Sequence, residues 1–390
     1  MRARSRALVL AALWLCAPAR ADSPAAEIPA DAILADLPFL DSPERNRVIV
    51  DLAPAGDRPF RLLLDTGASD SVLTPRYARE LGVTVRRHRD RPNERETVLG
   101  RTLQFWIDTE TSDSASRTGW EYGLLGGAFL AEYVLDLDFA GRRVRFLDPK
   151  RFQVPESTSS ESEAVLRLKI VSNRPHVHVE IDGKSVDVLL DTGAPMTLLL
   201  SGASAKRAEY AWQSITRLGM SGVLGPIEAY LCEAKALALG PFSFAPAPLI
   251  VAPNGAYNQG GNTDSLLGYE ILSHFRVRID YPRKRLWLRR DKSEPLAYFG
   301  VPWATVQRTG LLASVSDQGI GVEAVLPGSA AEKLGIHPGD TIALRGEGET
   351  TARLAALFAR IDAGERITVV RDVNGVLEDM ELGKPPPSAP

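Results

Sequence analysis

The chain has 390 residues, 44% of them hydrophobic, and a formal net charge of −3. That length accommodates two or three domains with ample core, and so small a net charge gives no electrostatic reason to expect a nucleic acid or an anionic membrane as partner. With five histidines and two cysteines, neither a metal site nor a disulfide framework is expected.

The opening residues, MRARSRALVLAALWLCAPARA, start with three arginines (Arg2, Arg4 and Arg6), followed by an apolar stretch from Ala7 to Ala17 and by Ala19-Arg20-Ala21 as a small-x-small cleavage site. They read as a secretory signal peptide over 1–21, too short and wrongly flanked for a membrane span. Leu15 precedes Cys16 where a lipoprotein needs a small residue. After cleavage Cys232 is the remaining thiol; it lies in the strand-like AYLCEAKAL (229–237) and is expected to be a buried small hydrophobe. The product is expected to be periplasmic or secreted, without a membrane span after cleavage. Residues 22–45, rich in Ala, Pro and Asp, are expected to be a loose leader.

From residue 46 the chain repeats itself. LLLDTGAS (62–69) returns as VLLDTGAP (188–195), with Asp65-Thr66-Gly67-Ala68 and Asp191-Thr192-Gly193-Ala194 standing 126 positions apart. Each copy follows a strand–turn–strand pattern, RVIVDLAPAGDRPFR (47–61) and HVHVEIDGKSVDV (176–188), and Asp182-Gly183 predicts a two-residue hairpin turn. Further on, Leu124-Leu125-Gly126 parallels Leu266-Leu267-Gly268, and Asp138 parallels Asp280, all at an offset of 142. The constant offset predicts a duplicated unit, with the extra length inserted between the Asp motif and the Leu-Leu-Gly. The first copy spans 46–150, a polar linker 151–163 contains PESTSSESE, and the second copy spans 164–292. His176 and His178 alternate with valines; with no third ligand evident, they are expected to face solvent. A covering hairpin is expected at 96–110 in the first copy and near Gly219, Gly222 and Gly225 in the second.

Two carboxylates brought to one point cannot both ionise, so one keeps a proton while the other is free to take one. That pair can activate a water and polarise a carbonyl without metal, Ser, Cys or His. Gly67 and Gly193 would permit a tight turn and close approach of the two copies. Ser69-Asp70 in the first copy becomes Pro195-Met196 in the second, and Pro195, lacking an N–H, is expected to shift the second loop slightly.

The combination of Asp-Thr-Gly-Ala after an apolar strand and a later Leu-Leu-Gly strand resembles the pepsin and retropepsin aspartic proteases, over roughly residues 46–292. Ala after the Gly is similar to the retroviral and bacterial retropepsin-like members. The resemblance implies a mainly β, bilobal acid-protease fold acting as a monomer on a peptide or protein, with no cofactor. It implies Asp65 and Asp191 as the catalytic dyad. Thr66 and Thr192 would brace the loops across the pseudo-dyad, with Gly67, Ala68, Gly193, Ala194, Gly126 and Gly268 in support. The other reading open to the sequence is an inactive peptide-binding adaptor.

GIGVEAVLPGSAAEKLGIHPGDTIALRGE (319–347) resembles a PDZ domain, a small α/β unit expected over 300–382 and followed by a disordered tail at 383–390. Leu354, Leu357, Phe358 and Ile361 share a helical face that ends near Gly364, and Asn374-Gly375 predicts a hairpin. The resemblance implies capture of a C-terminal peptide as an added strand, with Gly319, Ile320, Gly321 and Val322 as the peptide-binding residues.

Overall fold

The computed structural model describes residues 27–40, 46–83, 92–107, 122–158, 160–222, 225–253, 265–293, 295–298, 301–316, 319–342, 350–373 and 376–382. The signal-peptide and tail readings, and the hairpin turn at 374–375, lie outside them. The described chain is mainly β. Among the described residues no helix is long and apolar enough to cross a membrane.

Each copy of the repeat builds one sheet around the same four strands. In the first, Arg61–Leu64, Gly123–Leu125, Ser71–Leu73 and Thr102–Ile107 lie side by side; in the second, Lys184–Leu190, Leu266–Leu267, Leu198–Ser201 and Ala247–Ala252 do the same. The Leu-Leu strand runs parallel to the strand before the Asp and antiparallel to the one after it, in both copies. Thr74 and Ser201 then accept from backbone N–H groups to cap the matching helices Pro75–Glu80 and Gly202–Arg207. The predicted turn at Asp182-Gly183 joins Arg174–Ile181 to Lys184–Leu190 with φ positive at both residues, as a type I′ hairpin requires. The added length of the second copy holds a hairpin, Ser214–Gly222 with Gly225–Ala234, followed by the short strands Leu237–Leu239 and Phe242–Phe244.

A third sheet joins the copies, in the order Ile33–Pro38, Arg143–Leu147, Val134–Asp138, Phe275–Asp280, Arg285–Arg290, Glu163–Arg167. Its middle pair is antiparallel, and Asp136 faces Arg278 in the register. Those two residues are 142 positions apart, so they are counterparts in the repeat and sit on its pseudo-twofold axis. Both side chains are fully buried, with Arg278 Nε 2.8 Å from Asp136 Oδ1. Arg276 and Arg145 donate to the same carboxylate, each with a nitrogen at 2.9 Å from Oδ2. Burial alone would raise the Asp136 pKa, but the Arg276 hydrogen bond and the Arg278 charge outweigh it and hold it below the usual carboxylate value. A symmetric pair of either copy would place like charges on this axis.

This sheet corrects two expectations. The leader is not loose throughout: Ile33–Pro38 is an edge strand, with Leu37 opposite Val144 and Asp36 paired to Arg143 at 2.7 Å. The linker is not a free tether either, because Phe152 and Val154 are buried in a cluster with Trp287, and Val154 N–H donates to Asp280. On Arg174–Ile181, His178 is exposed but His176 is buried, with Nδ1 3.8 Å from Asp187.

Residues beyond 310 form a five-stranded antiparallel sheet, ordered Leu311–Ser316, Gly319–Val325, Thr341–Ile342, Ile367–Val373, Val376–Leu382. Helix Thr350–Asp362 buries Leu357, Phe358 and Ile361. Gly319–Val325 is an inner strand. Ile320 and Gly321 pair with Val315 and Ser314 on one side and with Ile342 and Thr341 on the other, while Val322 N–H donates to the Asp340 carbonyl. At Ile320, Gly321 and Val322 the expected groove that begins at Gly319 therefore has no open backbone edge, and the Ile320 side chain belongs to the core.

This sheet shares one apolar cluster with the second copy: Leu218, Ala229, Leu231, Ala194 and Met196 pack with Tyr298, Trp303, Ile320 and Val322. Polar contacts reinforce the seam, including Ala297 N–H to Glu270 at 2.8 Å and Trp303 Nε1 to Glu233 at 2.6 Å.

Candidate active site

Asp65 and Asp191 each close a strand whose next backbone step is tied to the Leu-Leu strand. Asp65 N–H donates to the Leu125 carbonyl at 3.0 Å and Asp191 N–H to the Leu267 carbonyl at 2.9 Å. The loops then turn back on their own carboxylates. Asp65 Oδ1 accepts from Gly67 N–H at 2.8 Å and Ala68 N–H at 3.0 Å. Asp191 Oδ1 accepts from Gly193 N–H at 2.8 Å and Ala194 N–H at 3.1 Å. The two loops agree to within 0.1 Å, so the expected shift from Pro195 does not appear: the proline lies beyond both donors.

The threonines lock one loop to the other. Thr66 Oγ1 donates to Leu190 O at 2.5 Å and accepts from Thr192 N–H at 3.1 Å; Thr192 Oγ1 donates to Leu64 O at 2.6 Å and accepts from Thr66 N–H at 3.1 Å. Both are wholly buried, so every donor and acceptor in this square needs its partner.

The glycines are dictated by proximity. A Cβ on Gly67 would lie 2.5 Å from Asp191 Cγ, and one on Gly193 would lie 2.7 Å from Asp65 Cγ. Gly126 and Gly268 back the loops in the same way, against the carbonyls of Asp70 and Met196. The residue after each donates to the loop, Gly127 N–H to Ala68 O at 2.8 Å and Tyr269 N–H to Ala194 O at 2.7 Å.

The carboxyls, 7% and 8% exposed, face each other, each packed against the glycine of the other loop. Burial raises the pKa of Asp65, opposed by Asp191, the N–H donors and Arg47. Burial followed by the charge of Asp65 raises Asp191 well above the ordinary carboxylate value. A site this dry holds one proton between the two groups. Among the described residues no cluster of three or more His, Cys, Asp or Glu could hold a metal ion. Cys232 is buried and its thiol is pushed up to about 12 by that burial, which keeps it protonated and unreactive.

The sequence reading passed over Asn46 and Arg47. Asn46 Nδ2 donates to Pro195 O at 3.2 Å, and Arg47, 9% exposed, donates through Nη1 to Gly193 O. The signal was present: Asn-Arg recurs at 173–174, 127 positions on. Of the expected covering hairpins, 108–110 fall outside the described residues, while Gly222 and Gly225 face one another at the end of the second-copy hairpin.

A family model described as aspartyl protease matches residues 50–94 and 177–271. These two segments, well under half of the chain, include Asp65 and Asp191 and support the aspartic protease class. No curated protein matched the chain. Among solved structures, a retropepsin-like aspartic protease from Rickettsia conorii is 20% identical, covering 33% of this chain and 90% of its own, with a TM-score of 0.25. The EIAV protease complexed with the inhibitor HBY-793 is 28% identical over 25% of this chain and 85% of its own, at 0.20. Basic 7S globulin from soybean is 12% identical over 65% of this chain and 94% of its own, at 0.36.

Proposed function

We propose that the protein is an exported, single-chain aspartic endopeptidase of retropepsin-like type. The observation that carries this reading is the pair of facing, buried carboxyls, each held by two N–H groups of its own loop. One carboxylate takes a proton from a water as its oxygen bonds to the scissile carbonyl carbon, while the other carboxyl protonates the carbonyl oxygen. Collapse of the tetrahedral intermediate breaks the C–N bond, and the amine leaves with the proton first taken from water. The Asp136–Arg278 pair on the pseudo-axis supports work as a single chain.

Export rests on the leader at 1–21. Residues 300–382 are read as a PDZ domain on sequence resemblance, with a ligand site away from the inner strand Gly319–Val325. Its apolar seam with the second copy favours a part in holding the protease body over a part as a loosely tethered capture module. The test is digestion of a peptide library by the mature protein beside Asp65→Asn. Cleavage lost in the variant supports the endopeptidase; peptide binding without cleavage by either would establish the adaptor instead.

A further inference from the structure

We infer that Arg47 is a positioning residue that makes Asp65 the ionised, proton-accepting member of the pair and leaves the shared proton on Asp191. The inference rests on the endopeptidase reading above.

Arg47 lies just ahead of the strand Ile49–Asp51, yet its guanidinium reaches across the pseudo-axis to the Gly193 carbonyl of the other loop. Gly193 is itself packed against the Asp65 carboxyl, with its absent Cβ 2.7 Å from Cγ. A permanent cation is thus fixed one glycine away from Asp65, where little water screens it. Asn46 bonds Pro195 O two residues further on, so the segment 46–47 clamps the second loop at two carbonyls. A fixed positive charge favours the ionised form of a carboxyl within its reach, and the charge of Arg47 acts in that sense on Asp65.

Asp65 faces Asp191, the Gly67 and Ala68 N–H groups and Arg47, and its charge also reaches the buried phenol of Tyr281, which burial keeps neutral. Asp191 faces Asp65 and the Gly193 and Ala194 N–H groups. Arg174, the counterpart of Arg47, follows Asn173, whose carbonyl abuts Gly127 in the first copy. The pKa directions agree with the geometry, Asp191 standing well above its ordinary value and Arg47 opposing the rise at Asp65. Asp65 then takes the proton from water, Asp191 protonates the carbonyl oxygen, and the amine leaves with the proton held on Asp65. Asp191 recovers its proton from the intermediate's hydroxyl, which restores both groups.

The test separates charge from hydrogen bonding. Arg47→Gln keeps a donor for Gly193 O without the charge, and Arg47→Lys keeps the charge. The acid limb of kcat/KM against pH should move up by about half a unit or more in Arg47→Gln, stay near wild type in Arg47→Lys, and move less in Arg174→Gln. An unmoved limb in Arg47→Gln, or equal shifts in the Gln and Lys variants, would overturn the inference even if kcat falls. Carboxyl 13C titration of labelled aspartates, assigned with Asp65→Asn, reads the same shift without turnover. If wild type cleaves no peptide, the endopeptidase reading fails, while this titration still decides the role of Arg47. If Arg47→Gln does not fold, a lysine variant whose Asp65 titrates above wild type, as though uncharged, overturns it.

Discussion

The two halves of the repeat share their core strands and match closely at the Asp loops, and they diverge in what is added around that frame. Within the loops at Asp65 and Asp191 the corresponding bonds agree to within 0.1 Å, although one loop continues as Ser69-Asp70 and the other as Pro195-Met196. Around them, the second half carries a long hairpin and an apolar seam to the C-terminal sheet, whereas Asp70 in the first half is exposed. The axis itself is unlike on its two sides, with Asp136 against Arg278. Geometry that must be mirrored is held by backbone donors and glycines, which tolerate changed neighbours; side chains outside that shell are free to specialise.

The comparison breaks most sharply if one loop alone can work. Asp65→Asn and Asp191→Asn should each lower kcat by several orders of magnitude, since the pair acts as one unit; a variant with near wild-type turnover on any cleaved peptide would remove the two-loop site. The axis comes next. Removing one partner of a buried ion pair costs about 3–5 kcal/mol, so Asp136→Asn should lower the free energy of unfolding by that order in a urea titration. The Asp136 pKa is depressed in the folded state, so its contribution is present above the ordinary carboxylate range and is lost as pH falls through the folded value. The deficit of Asp136→Asn should accordingly shrink in strong acid.

The seam offers a third test. Deleting residues 300–390 exposes the face holding Ala194 and Met196, and should reduce kcat/KM for a short peptide and a protein substrate alike. A loss confined to the protein substrate would restore the capture role that the sequence suggested. A smaller effect concerns the threonine square: Thr66→Val removes the bond to Leu190 O and leaves Thr192 N–H without its acceptor. A cost of about 1–3 kcal/mol is expected from equilibrium unfolding, with Thr192→Val alike if the loops are truly equivalent.

The smallest effect is a gain. Asp191 is raised well above its ordinary value, so the folded state binds more protons than the unfolded one, and stability falls as pH rises through that interval. Asp191→Asn should therefore raise the melting temperature at neutral pH, and the advantage should vanish below about pH 4. A variant no more stable than wild type at neutral pH would mean that the pair is not held protonated. Activity in turn should extend above the strongly acidic range, since both carboxyls titrate upward.

What could be read from the sequence was whatever the chain encodes locally or repeats. The Asp-Thr-Gly-Ala copies, the Leu-Leu-Gly copies, the Asp182-Gly183 turn, the buried Cys232 and the helix ending near Gly364 all follow from residue type and short-range spacing. What only the tertiary structure decided involves residues far apart in the chain. The leader residues Ile33–Pro38 become a strand because Arg143–Leu147 offers an edge more than 100 positions away. Gly319–Val325 resembles a peptide-receiving strand, but Leu311–Ser316 and Thr341–Ile342 occupy both its edges. Asp136 and Arg278 were visible as repeat counterparts but not as partners, and Arg47 was one arginine among many until its contact with Gly193 appeared. Side-chain periodicity reports which face of a strand is apolar; it carries no record of which distant strand or carbonyl will meet it.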